Sequence, residues 1–118
     1  VMIPIQCEFF ALEGLSQLMN TIRLVKKKLN PEIMIDGVVL TMFTNRSNLG
    51  RQVAEEINKF FADTVFKTTI PRNVRLAESP SYGEPVYVYD KNCLGSKAYQ
   101  SLVEEYFDRN NVKYIKLS

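Results

Sequence analysis

Three arginines in this 118-residue chain follow closely behind apolar runs, with an asparagine beside them: Arg46 in "TMFTNRSN", and Arg72 and Arg75 in "TTIPRNVRL". Guanidinium groups grip phosphate through paired, charge-assisted hydrogen bonds, whether it belongs to a nucleotide or to a nucleic-acid backbone. Solvated loop arginines would show the same spacing, and that reading stays open beside the first. Composition excludes other chemistries. The chain has no histidine, which leaves no imidazole acid–base pair, no Ser/His/Asp or Cys/His nucleophile and none of the common zinc sites. Its five glycines stand singly, so there is no GxxxxGK[ST] or GxGxxG loop to cradle phosphates. No strand ends in the aspartate expected of a Mg²⁺ site, and the chain as given is expected to perform no P-loop catalysis.

The elements that position these arginines follow from periodicity. "VMIPIQ" reads as a short strand buried on both faces, and Ala11–Leu29 carries Leu15, Leu18, Met19, Ile22, Val25 and Leu29 at helical spacing. Lys26, Lys27 and Lys28 suit the negative end of that helix, and either extend a basic face or are simply solvated. "IMIDGVVLTMF" (33–43) is the best strand. A helix follows, capped by Ser47 or Asn45, with Leu49, Val53, Ile57, Phe60 and Phe61 inward and Arg51, Glu55 and Lys59 forming ion pairs outside. "VFKTTI" is a third strand, "PVYVYD" a short fourth, and a last helix runs from about Ser96 to Phe107. Strands alternating with helices predict an α/β fold, three-layered, with a mostly parallel sheet between flanking helices. In such sheets ligands sit beyond the carboxyl ends of the strands, which is where Arg46, Arg72 and Arg75 fall.

Net charge is +2, too small by itself to signal nucleic acid. Cys7 and Cys93 lack CxxC spacing and read as reduced apolar filling in an intracellular protein. No apolar stretch approaches the roughly 18 residues that span a bilayer, and no signal peptide precedes the first strand, so a cytoplasmic address is expected. The chain begins at Val1, inside an apolar strand that needs neighbours on both edges. The expectation is a piece of something longer, or a chain that pairs with another.

"VMIPIQCEFFALEGLSQLMNTIRLVKKKLNP", "IDGVVLTMFTNRSNLGRQVAEEI" and "VFKTTIPRNVRLAESPSYGEPVYVYDKNCLGSKAYQSLVEEY" together resemble the C-terminal half of ParA/Soj-type chromosome and plasmid partition ATPases, deviant Walker A proteins of the MinD/ParA group. The resemblance covers residues 1–107; the tail 108–118 has no counterpart. It implies the C-terminal half of a P-loop NTPase-like fold, whose Walker A and Walker B motifs lie outside this chain. It implies that Thr41, Met42, Pro71, Arg72 and Asn73 line the base side of an ATP pocket. It also implies that Arg46 and Arg75 contact DNA without sequence preference, through phosphates and therefore in a salt-dependent manner. ATP and Mg²⁺ would serve the intact protein, with none bound by this chain alone. A ParB-type partner, a homodimer and a nucleoid-associated cytoplasmic location are implied, with no membrane attachment, because the amphipathic C-terminal helix of MinD-type relatives is not seen. Departures from the family pattern are Ser79 and Tyr82 in "AESPSYG" and Thr44 in "MFTNRSN". Two alternatives stay open: a free-standing α/β binding or regulatory module without ATPase activity, and a MinD-like cell-division regulator.

Overall fold

A computed structural model describes residues 1–8, 11–44 and 46–111. Three strands, β1 (Met2–Gln6), β2 (Gly37–Phe43) and β3 (Val65–Pro71), form a parallel sheet in the order β1-β2-β3. The crossovers carry α1 (Ala11–Lys28) and α2 (Asn48–Phe61). Both helices cover one face, where Ile3, Ile5, Val38, Leu40 and Val65 of the strands meet Leu15, Val53 and Ile57. The opposite face of β2 and β3 offers Val39, Phe66 and Ile70 to Leu102 of α5 (Leu94–Arg109). The result is the expected three-layer α/β sandwich, with α3 (Val74–Glu78) and α4 (Val86–Tyr89) as short helices between β3 and α5.

Several elements differ from the sequence reading. β1 is buried on one face only, with Ile3 and Ile5 inward and Met2, Pro4 and Gln6 outward, because α5 reaches over β2 and β3 but not over β1. The odd-numbered residues of β1 bond to β2, as Cys7 N–H donating to the Thr41 carbonyl at 3.1 Å shows. Strand alternation therefore turns Pro4 to the outer edge, where its missing N–H costs no ladder bond. β2 starts at Gly37 rather than Ile33. "PVYVYD" forms no strand: residues 86–89 make one helical turn behind Pro85, fastened by the buried Ser96 hydroxyl, 3.0 Å from the Val86 carbonyl and 2.6 Å from that of Asp90. The β-propensity of Val and Tyr expresses fit to a pleated surface, and here these residues close a helical turn instead of pairing with a strand. α5 continues through Arg109, so the first two residues of the predicted tail are helical, while 112–118 lie outside the described residues.

Ser47 caps α2, its hydroxyl accepting from Gly50 N–H at 3.2 Å; Asn45, the other predicted cap, lies outside the described residues. The expected Arg51–Glu55–Lys59 ladder is replaced by Arg51 donating to Asn48 and Lys59 pairing with Glu56. Of the predicted inner face of α2, Val53 and Ile57 are buried, whereas Phe60 is 74% exposed. Gly37 is obligatory, because a Cβ there would lie 2.2 Å from the Phe66 ring.

The β3–α5 seam is polar. β3 carries two extra residues between its Val38 and Leu40 pairings, and the N–H groups of Lys67 and Thr68 in that bulge donate to the two Glu105 oxygens at 2.7 and 2.9 Å. Arg109 donates to the Thr64 and Val65 carbonyls at 3.1 and 2.7 Å, and its guanidinium lies 4.1 Å from the Phe66 ring centre. Burial alone would raise the Glu105 carboxyl, but the Thr68 and Lys67 N–H groups outweigh it and hold it below the usual range.

Candidate functional site

The carboxyl ends of the three strands form one rim. Thr41 pairs with Gln6, and Phe43 pairs with Pro71, so Met42 stands where β2 and β3 finish together. The register slips between Leu40 and Phe43, and Met42 absorbs the extra residue with φ +52°. Left-handed backbone costs a non-glycine residue about 1–2 kcal/mol. Strain retained beside a bulge at the ligand end of a parallel sheet marks a candidate site.

Arg72 leaves β3 and reaches Glu8 Oε1 at 3.5 Å. Because Glu8 follows β1, this ion pair passes over the end of β2 and holds the guanidinium across the rim. Both partners are exposed, so it orients more than it stabilises. Asn73 caps α3: its Oδ1 accepts from Arg75 N–H at 3.0 Å. The structure thus gathers Thr41, Met42, Pro71, Arg72 and Asn73 at one strand-end rim. A groove of about 690 Å³ runs along Pro4, Ile5, Gln6 and Leu15 and reaches Glu8, the partner of Arg72.

Arg46 and Arg75 follow neighbouring strands but differ in surroundings. The Arg46 backbone N–H donates to Thr44 Oγ1 at 3.3 Å, and its exposed guanidinium has no ion pair among the described residues. Arg75 Nη1 lies 3.0 Å from Glu78 Oε2, and its Nε lies 3.4 Å from Asp90 Oδ2. Tyr89 donates its hydroxyl to the same Glu78 oxygen at 2.6 Å, and its ring stacks on Tyr82 at 5.0 Å. The Tyr89 hydroxyl, followed by Arg75, holds the Glu78 carboxyl below its ordinary range, and Glu78 in turn raises both Tyr89 and Arg75. Gly83, at φ +65°, closes the turn that carries Tyr82.

Sequence reasoning missed Glu8, Glu78, Tyr89 and Asp90. Only the Arg75–Glu78 spacing of three was legible; the other partners meet through tertiary structure. Lys26–Lys28 end α1 at the amino ends of the strands, away from the rim. Cys7 is buried, which pushes its thiol up, and Cys93 Sγ caps α5 by accepting from Ser96 N–H. Among the described residues no three His, Cys, Asp or Glu side chains gather to hold a metal, and no helix is long and apolar enough to cross a membrane.

A parallel sheet between flanking helices is an architecture that P-loop NTPase-like folds share. The sequence model of the CobQ/CobB/MinD/ParA nucleotide binding domain matches residues 4–86, and the chain belongs to that family. Within it the chain is similar to the sporulation initiation inhibitor protein Soj of Bacillus subtilis, at 58% identity over 89% of this chain and 42% of the relative. It is likewise similar to the chromosome partitioning protein ParA of Caulobacter vibrioides, at 51% over 98% of this chain and 43% of the relative. The chromosome-partitioning ATPase Soj of Thermus thermophilus is 40% identical over 92% of this chain and 44% of the relative. The chain spans less than half the length of these relatives.

Proposed function

We propose that this chain is the C-terminal portion of a ParA-type ATPase that acts in chromosome or plasmid partitioning. The observation that carries the reading is the rim itself, where the strained Met42 backbone, Pro71 and the Arg72–Glu8 pair converge at the ends of parallel strands. Thr41, Met42, Pro71, Arg72 and Asn73 form the base side of the nucleotide pocket. The phosphates and Mg²⁺ belong to a P-loop half preceding this segment in the complete protein, since these residues offer neither a glycine-rich cradle nor a carboxylate set. Catalysis resides in that half, and this segment supplies nucleotide positioning, part of a dimer and DNA contacts through Arg46 and Arg75. DNA phosphates are held without base readout, and a ParB-type protein is the partner of the nucleoid-bound dimer.

The test is calorimetric titration of ATP into the 118-residue chain and into the complete reading frame. We expect measurable affinity only in the latter, because phosphate contacts supply most of the charge-assisted bonds. In the complete protein Arg46→Ala should weaken binding of arbitrary duplex DNA several-fold at low salt and leave ATP affinity unchanged. A reading frame without a P-loop upstream, or micromolar ATP binding by the isolated chain, would overturn this division of labour.

A further inference from the structure

Arg75 differs from Arg46 in what already occupies it. One guanidinium faces two carboxylates, Glu78 through Nη1 and Asp90 through Nε, at 3.0 and 3.4 Å. Glu78 is not free to swing away, because its Oε2 also receives the Tyr89 hydroxyl at 2.6 Å and Tyr89 is braced against Tyr82. Asp90 is braced as well: its Oδ1 accepts from Asn92 N–H at 3.2 Å. An incoming phosphate therefore meets a guanidinium already shared by two carboxylates, and it must take the arginine from partners held in place by their neighbours.

We propose that Glu78 and Asp90 are internal competitors for the anion that Arg75 binds, and that they set how tightly and how salt-sensitively this arginine engages nucleic-acid phosphate. Arg46 supplies the standing attraction, and Arg75 contributes only when a phosphate displaces a carboxylate. These acidic residues are thus positioning residues that hold DNA affinity below what two unopposed arginines would give. The inference rests on the reading of Arg46 and Arg75 as DNA contacts.

The experiment measures binding of a labelled duplex of arbitrary sequence to the complete protein by fluorescence anisotropy across a salt series. Glu78→Gln retains an acceptor for both Tyr89 and Arg75 while removing the charge. It should tighten binding about three- to tenfold at low salt and steepen the salt dependence by up to about one ion. Asp90→Asn, which keeps the Asn92 bond, should act in the same direction and serves if Glu78→Gln disturbs folding. In an Arg75→Ala background both effects should vanish. Equal tightening with and without Arg75 would mean that the carboxylates repel DNA directly, and no tightening at all would mean that they do not compete; either result overturns the proposal. If Arg46→Ala weakens binding while Arg75 and Glu78 substitutions are silent, DNA binding stands and this inference falls. If neither arginine matters, the DNA-binding reading falls with it.

Discussion

Helices α5 and α1 lie on opposite faces of the same sheet, but they are attached by different means. α5 reaches the β3 backbone with Glu105, which satisfies two donors exposed by the bulge, and with Arg109, which takes the Thr64 and Val65 carbonyls where the strand begins. α1 meets the sheet through Leu15, Met19 and Ile22, and among the described residues no side chain of α1 bonds to β1. Leu24 on α1 remains 56% exposed, and among the described residues no strand pairs with the outer edge of β1. Directional bonds fix α5 in one register, whereas apolar contact alone leaves α1 dependent on how much area is covered. The difference teaches that α5 is fastened to its strand by directional bonds, whereas α1 is held by burial that is only partly complete.

The largest effect should separate the two helices directly. Leu102→Ala removes a buried α5 side chain and should cost about 2–5 kcal/mol in urea unfolding, whereas Leu24→Ala on α1 should cost under about 0.5 kcal/mol. Equal losses would erase the contrast. Next comes Glu105→Ala, which strands two backbone N–H groups and a guanidinium and should cost about 2–4 kcal/mol. Its pH dependence sharpens the same point. The Glu105 carboxyl titrates below its unfolded value, so its contribution is fully present above that value and disappears as pH falls through the folded one. Acidifying below about pH 4 should therefore destabilise the parent chain more than Glu105→Gln. At the α2 cap, Ser47→Ala should cost about 1 kcal/mol by the same unfolding assay, less than either α5 substitution and felt on the apolar face without touching the α5 seam.

The alternation of periods made the three helices and three strands of the layer legible, and with them the strand-end rim from which Arg72 reaches Glu8. The Ser47 cap was legible because its signal is local. What the sequence hid was set by distance. Glu105 lies 38 residues from the Lys67 amide it binds, and nothing in "VFKTTI" announces a bulge. The helical turn at 86–89 depends on Ser96 ten residues away, so the β-propensity of Val-Tyr-Val-Tyr misled. The Arg75 network hides for the same reason: Tyr89 meets Glu78 only after the Gly83 turn folds the chain back.

Pro4 has a consequence for crowded solutions. Among the described residues no strand adds to the outer edge of β1, and an edge open in this way invites a second copy to add alongside it, an addition that can propagate into aggregates. At the middle of β1, however, a newcomer's carbonyl finds a pyrrolidine ring instead of a donor, and a buried carbonyl left without a bond costs about 1–3 kcal/mol. Indiscriminate self-addition is therefore taxed at every encounter. A strand whose backbone bends away opposite Pro4 escapes that penalty, so this single imino acid makes an exposed edge selective about what can zip onto it.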